Sequence, residues 1–146
     1  MAGPSSSRVP FLPGFFFILP HKMTTSRETV VDYLEIPASD LDRTKAFFTQ
    51  LFGWKFTDYG PEYCAFEDGR ISGGFWKSER VASVSSGSVL VIFYAKDLEA
   101  AKARCESLGA RISRDIFSFP GGRRFHFLVP GCGEFAIWSD GTKLDK

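Results

Sequence analysis

Side chains able to do chemistry are few in this 146-residue chain. There are two histidines, His21 near the amino terminus and His126 in the body, and three cysteines, Cys64, Cys105 and Cys132. No C-x-x-C or metal-ligand spacing joins the cysteines, so they read as free thiols of a reducing compartment. A metal centre needs several convergent nitrogen, oxygen or sulfur donors. One body histidine among scattered carboxylates is thin material for that. Proton transfer and polar recognition remain, with Glu35 and His126 as candidate acid–base groups and Arg124 as candidate cation. Each also has a structural reading. Glu35 could pair with an arginine or cap an amide, His126 could be a satisfied core histidine, and Arg123 and Arg124 could be solvated or paired.

The elements that must position these groups come in a repeat. VDYLEIPASDLDRTKAFFTQLFGWKF (31–56) and SVLVIFYAKDLEAAKARCESLGARI (88–112) share one layout at an offset of 57 residues. Asp40 maps to Asp97, Leu41 to Leu98, Thr44 to Ala101, Phe48 to Cys105 and Leu51 to Leu108. Each aspartate sits where a helix N-cap belongs. The apolar positions after it recur at spacings of three and four, the face of a helix. Gly53 and Gly109 are the stops. Strands are expected at Val31–Ile36, Trp54–Tyr59, Glu62–Glu67 and Ile71–Trp76. The second half repeats them at Val89–Ala95, Ala110–Phe117, Arg123–Val129 and Glu134–Trp138. Each half is then β-α-β-β-β. Two such units pair into an α+β fold, a curved eight-stranded mixed sheet with helices outside and a central cleft shared by both halves.

Composition bounds the rest. Hydrophobic residues make up 44% and aromatics 16%, with sixteen Phe, a folded rather than a disordered chain. Setting aside Arg8 and Lys22 leaves the body at a net charge of −1. That excludes the basic surface of a nucleic-acid binder. Residues 1–29 read as a leader, disordered or a non-native extension, with the start of translation open between Met1 and Met23. Its apolar patch, Val9–Leu19, is broken by Pro10 and Pro13 and is too short to span a bilayer. The domain is expected over 30–140, with modules 30–76 and 88–140, a Ser-rich linker at 77–87 and a tail at 141–146. No membrane partner and a cytoplasmic location are expected, the leader leaving export or targeting open.

The motifs EIPASDLDRTKAFFTQLFGWKF (35–56), YCAFEDGRISGGFW (63–76), DLEAAKARCESLGA (97–110) and FPGGRRFHFLVPGCGEFAIW (119–138) together resemble the vicinal-oxygen-chelate superfamily. That superfamily includes glyoxalase I, bleomycin-resistance proteins, extradiol dioxygenases, fosfomycin-resistance enzymes and methylmalonyl-CoA epimerase. The resemblance implies four cleft-facing His or Glu ligands around a divalent ion that stabilises a substrate anion. The first, seven residues before the repeated aspartate, falls on Tyr33. The same offset in the second half gives Leu90, and the last ligand position gives Ala136. The remaining one lies near Ile71–Trp76, where there is no His, Asp or Glu. The ordinary ligand set is missing, so no cofactor is expected, a divalent Ni, Zn, Mn, Co or Fe staying open.

Strand alternation then sorts side chains by face. Tyr33, placed in the cleft by the resemblance, brings Glu35 with it. Leu90, Ile92 and Tyr94 share a face, as do Glu134, Ala136 and Trp138, and as do Arg124 and His126. Phe66, Gly74 and Trp76 offer a stacking wall or, alternatively, core. The expected function is a small-molecule-binding protein of bleomycin-resistance-like architecture, with an aromatic or amphipathic ligand in a metal-free cleft. Cationic bleomycin does not suit a near-neutral body carrying Arg123 and Arg124. The alternative is a lyase or isomerase like glyoxalase I or the epimerase. There Glu35 or His126 serves as base, and Tyr33 or Arg124 steadies developing negative charge. The resemblance also implies a homodimer.

Overall fold

A computed structural model describes residues 28–140. The leader up to residue 27 and the tail 141–146 lie outside the described residues. The first module runs β1 (Tyr33–Ala38), α1 (Leu41–Phe52), β2 (Lys55–Asp58), β3 (Tyr63–Glu67) and β4 (Ser72–Lys77). The second runs β5 (Val91–Tyr94), α2 (Leu98–Ser107), β6 (Arg111–Phe119), β7 (Gly122–Leu128) and β8 (Glu134–Ser139). The eight strands divide into two four-stranded mixed sheets, ordered β1-β4-β3-β2 and β5-β8-β7-β6. In each, the first strand lies parallel to the last and the others are antiparallel.

Local chemistry sets the boundaries. The Asp40 carboxylate accepts from the Arg43 amide at 3.1 Å and the Asp97 carboxylate from Ala100 at 3.0 Å, so both helices begin where the repeat places them. Gly53 ends α1 in the left-handed region at φ 75°, its amide reaching back to Phe48 and Thr49. β1 continues through Pro37 to Ala38, two residues past the expected end at Ile36. It is an edge strand, where a missing N–H breaks no ladder. The linker contains a short 3-10 turn, Val84–Ser86, capped by Ser83.

One core serves both modules. Phe48 of α1 is wholly buried and stacks on Trp54 at 4.6 Å and Phe75 of β4 at 5.6 Å. It also meets Phe135 of β8 at 5.3 Å and Phe93 of β5 at 6.1 Å. Phe47 reaches Phe127 of β7. Burying each such ring contributes roughly 1.5–3 kcal/mol. The modules are also joined through backbone. Gly131 carbonyl accepts from Ser39 N, Asp40 N and Thr44 Oγ1. Gly131 has φ 78°, and a Cβ there would lie 2.8 Å from the Asp40 carbonyl oxygen. Glycine is required on both counts. The sheet faces turned away from this core are left to carry a site.

Candidate functional site

On the outer face of the first sheet, three side chains form one hydrogen-bonded chain. The Tyr63 hydroxyl donates to Glu35 Oε2 at 2.8 Å. Its one proton is thereby used, so Tyr33 donates to the Tyr63 oxygen at 2.7 Å. Gly74 lies under this phenol, and a Cβ there would sit 2.1 Å from Tyr63 Oη. Burial first, then the bonds to Tyr33 and Glu35, pushes the Tyr63 phenol well above its ordinary range. Tyr63 is therefore a donor here and not a base. Trp76 stands exposed at the edge of this face.

On the second sheet, rows of paired residues define the outer face. Tyr94, Trp138, Arg124 and Phe117 are successive partners across β5, β8, β7 and β6. Ile92, Ala136, His126 and Arg114 form the neighbouring row. His126 is 3% exposed, and its Nδ1 lies 3.1 Å from Glu134 Oε2. A carboxylate only accepts, so Nδ1 carries the proton and Nε2 is turned the other way. Nε2 is buried and has no partner among the described residues. Glu134 also accepts from the Val84 amide at 2.9 Å and the Ser113 hydroxyl at 3.1 Å. Burial disfavours its charge, but those two donors and His126 hold the carboxyl below the ordinary glutamate range.

A cavity of about 260 Å³ opens where the halves meet. Glu35 and Pro37 of β1, Ala82 of the linker, Ser88 and Val89 just before β5, Val91 of β5 and Glu134 of β8 line it. The linker is held there by Glu134, whose amide donates to the Ala82 carbonyl and whose carboxylate accepts from Val84.

The expected residues are thus partly brought together. Tyr33 and Glu35 share a face, as do His126, Arg124, Trp138 and Tyr94. Phe66 instead packs in the core, stacked on Trp54 at 4.4 Å, because β3 alternates Cys64 and Phe66 toward α1 against Tyr63 and Ala65 outward. Ala136 is completely buried, and Gly74 is roofed by Tyr63. Leu90 immediately precedes β5 and is half-buried. Tyr63 and Glu134 were not anticipated as site residues. The alternation in YCAFE carries a signal for the first, and the shared face of Glu134, Ala136 and Trp138 one for the second.

A divalent ion at the positions the resemblance marks does not fit these residues. Leu90 and Ala136 offer no donor, and the Tyr33 phenol is engaged by Tyr63. Among the described residues no group of three His, Cys, Asp or Glu could hold a metal. The cysteines are buried, and burial raises their thiols to about 11 for Cys64 and about 12 for Cys105 and Cys132. They are poor ligands and poor nucleophiles at neutral pH. No helix among the described residues is long and apolar enough to cross a membrane.

Comparison with known proteins adds the family. No curated protein matches the sequence. A glyoxalase-related enzyme from Fulvimarina pelagi has the same fold at 18% identity and TM-score 0.62, covering 80% of this chain and 98% of that one. Lactoylglutathione lyase from Agrobacterium tumefaciens is 20% identical with TM-score 0.59, covering 78% and 96%. A mutant fosfomycin resistance protein FosX from Listeria monocytogenes, complexed with Mn(II) and 1S,2S-dihydroxypropylphosphonic acid, is 16% identical with TM-score 0.62, covering 76% and 90%. The family model for the Glyoxalase/Bleomycin resistance protein/Dioxygenase superfamily matches residues 30–136, and with the paired β-α-β-β-β modules this places the chain in that superfamily.

Proposed function

We propose that residues 30–140 act as one small-molecule-binding domain, whose ligand is an aromatic or amphipathic organic molecule held without a metal. One observation carries this reading. The outer face of the second sheet offers half-buried rings, Phe117, Phe119 and Trp138, around a few polar atoms not used by the protein, Arg124 Nε and His126 Nε2. An apolar surface with few convergent polar groups is the usual form of a ligand site. The reading extends to a homodimer, supported by large apolar side chains left exposed on or beside the outer faces. Trp76 is 43% exposed, Ile92 42% and Tyr94 51%.

The test is thermal unfolding with a panel of small aromatic compounds, with and without chelator, beside metal analysis of the purified protein. A ligand at a hundred times its Kd should add about 2.7 kcal/mol of stability. The expected shift is the same in EDTA. Stoichiometric Ni, Zn, Mn or Co, with a ligand shift that chelation removes, would overturn the metal-free reading.

A second reading, a lyase or isomerase, is favoured by the His126–Glu134 pair. A carboxylate orienting an imidazole, with the far nitrogen unpartnered, is the arrangement of a general base. On this reading His126→Gln abolishes turnover while leaving ligand affinity within a few-fold. For a binder, neither His126→Gln nor Glu35→Gln has turnover to lose.

A further inference from the structure

On the second sheet Arg114 and Arg124 stand together with no counter-ion among the described residues. Arg114 lies with its Cζ 3.7 Å from the centroid of the Phe117 ring. Arg124 approaches the same ring at 5.3 Å and Phe119 at 5.6 Å. Two β-bulges in β6, between Ile112 and Arg114 and between Arg114 and Phe117, bring the ring and both guanidinium groups to one place. Three of the other cations are matched, while Arg43, Lys55, Arg70, Lys77, Arg80, Lys96 and Arg111 make no ion pair among the described residues and lie on no such aromatic face. Arg123 makes a bidentate pair with Glu99, Lys45 pairs with Asp58, and Lys102 with Asp115. Arg114 and Arg124 have no carboxylate within ion-pair distance and no hydrogen-bond acceptor among the described residues. The acids nearest along the sheet are committed, Glu134 to Val84, Ser113 and His126, and Asp140 to the Tyr94 hydroxyl.

Two like charges beside one aromatic ring repel each other, and the ring quadrupole offsets this only in part. Arg124 adds a buried, unpartnered Nε, beside the His126 Nε2 that is likewise unpartnered. Beyond them Trp138 and Tyr94 meet edge to face at 5.3 Å, and Phe119 meets Trp138 at 6.2 Å. Cationic forks at one end of an aromatic wall match a planar molecule with a carboxylate at one end.

We propose that this face takes an aromatic carboxylate, the acid group received by Arg124 and Arg114 and the ring lying against Trp138 and Phe119. The proposal rests on the aromatic-ligand reading above and names its chemical class. The probes are three molecules of one shape: 2-naphthoate, 2-naphthalenemethanol and 2-naphthylmethylammonium, titrated calorimetrically into the full chain. Naphthoate should bind at least about tenfold tighter than the alcohol, the effect of one charge-assisted hydrogen bond, and the ammonium weakest. Arg124→Gln should weaken naphthoate about tenfold and leave the alcohol unchanged. Arg114→Gln, on an exposed side chain that folding does not need, should lower the same preference by a smaller factor. Arg123→Gln, whose guanidinium pairs with Glu99, should change none of the three. Equal or tighter binding of the alcohol or the ammonium overturns the proposal, as does an anion preference that survives both Arg124→Gln and Arg114→Gln. If none of the three binds, the aromatic-ligand reading falls and takes this one with it.

Discussion

The outer face of the first module closes on itself, and that of the second does not. Tyr33, Tyr63 and Glu35 satisfy one another in a single chain of hydrogen bonds, with Gly74 beneath making room for the phenol. The second module buries a His–Glu pair and leaves Arg114, Arg124, and His126 Nε2 unmatched beside an aromatic wall. The two halves share topology and caps, so backbone geometry is not the source of the difference. Side-chain bookkeeping is: one face meets its own polar demand, and the other presents demand to whatever binds. A duplicated scaffold can thus keep one half as support and the other as recognition surface. The core shows the same division. Phe48 of α1 touches both sheets, whereas its repeat partner Cys105 of α2 is a buried thiol that brings no ring of its own to the core.

The largest predicted effect tests that division of the core. Phe48→Ala should destabilise the chain by about 3–5 kcal/mol in denaturant unfolding, the range for a buried aromatic ring. Cys105→Ala, at the equivalent position, should cost about 1 kcal/mol. Equal losses would show that the helices contribute alike and that α1 has no special place between the sheets.

Next come the two carboxylates. Glu134→Gln disturbs a half-buried acceptor of three hydrogen bonds and should cost about 1–2 kcal/mol near neutral pH. Glu35→Gln, on an exposed side chain, should stay within about 0.5 kcal/mol. The Glu134 carboxyl is held below its ordinary value in the folded state. Its contribution is therefore complete above the unfolded-state pKa and is lost as pH falls through the folded one. The stability gap between wild type and Glu134→Gln should narrow in acid, and a gap independent of pH would remove the charge from the explanation. Exposed Glu99 and Asp115 are shifted in the same direction, so the difference between the two proteins is the quantity to read, not either curve alone.

Gly74→Ala probes the closed face at smaller scale. The new methyl meets Tyr63 Oη and Cζ, the far end of a side chain that can swing away. The expected loss is about 1 kcal/mol, the Tyr63 bonds to Tyr33 and Glu35. Tyr63→Leu should absorb the substitution, so that Gly74→Ala costs almost nothing further in that background. A full additional loss in the double variant would place the clash in the backbone and not in the phenol.

Much of this frame was legible because the repeat carries its own punctuation. Asp40 and Asp97 cap helices and Gly53 ends one, and these local rules act within a turn of chain, so the bounds of α1 were readable to the residue. Alternation along β1 likewise put Tyr33 and Glu35 on one face. What escaped depends on alignment between strands. The sequence leaves Phe66, near Gly73 and Gly74, open between a stacking wall and the core. Its ring lies over Gly73 on the core side, where a Cβ would come 2.5 Å from Phe66 Cζ. The bulges in β6 decide that Phe117 stands beside Arg124, and nothing in DIFSF announces them. Glu134 reaches His126 diagonally, a contact fixed by the tight Val129–Gly133 turn that joins β7 to β8.

The smallest perturbation leaves stability untouched and asks whether the two modules open separately. Cys64 belongs to the first module and Cys105 and Cys132 to the second, and all three thiols are buried. At pH 8 their raised values leave almost no thiolate in the folded protein. Alkylation by iodoacetamide must therefore wait for an opening of the structure, and its rate reports the free energy of that opening. Phe48 packs on both sheets, and the Gly131 carbonyl ties β1 and α1 to the second half, so no large part of the core is private to one module. The three cysteines should accordingly react at one common rate, resolved by mass spectrometry of the peptides, and that rate should rise together for all three as urea is added. Should Cys64 react well before Cys105 and Cys132, the first module opens on its own. Its closed outer face would then be the sign of a half that folds independently and not of a support for the other.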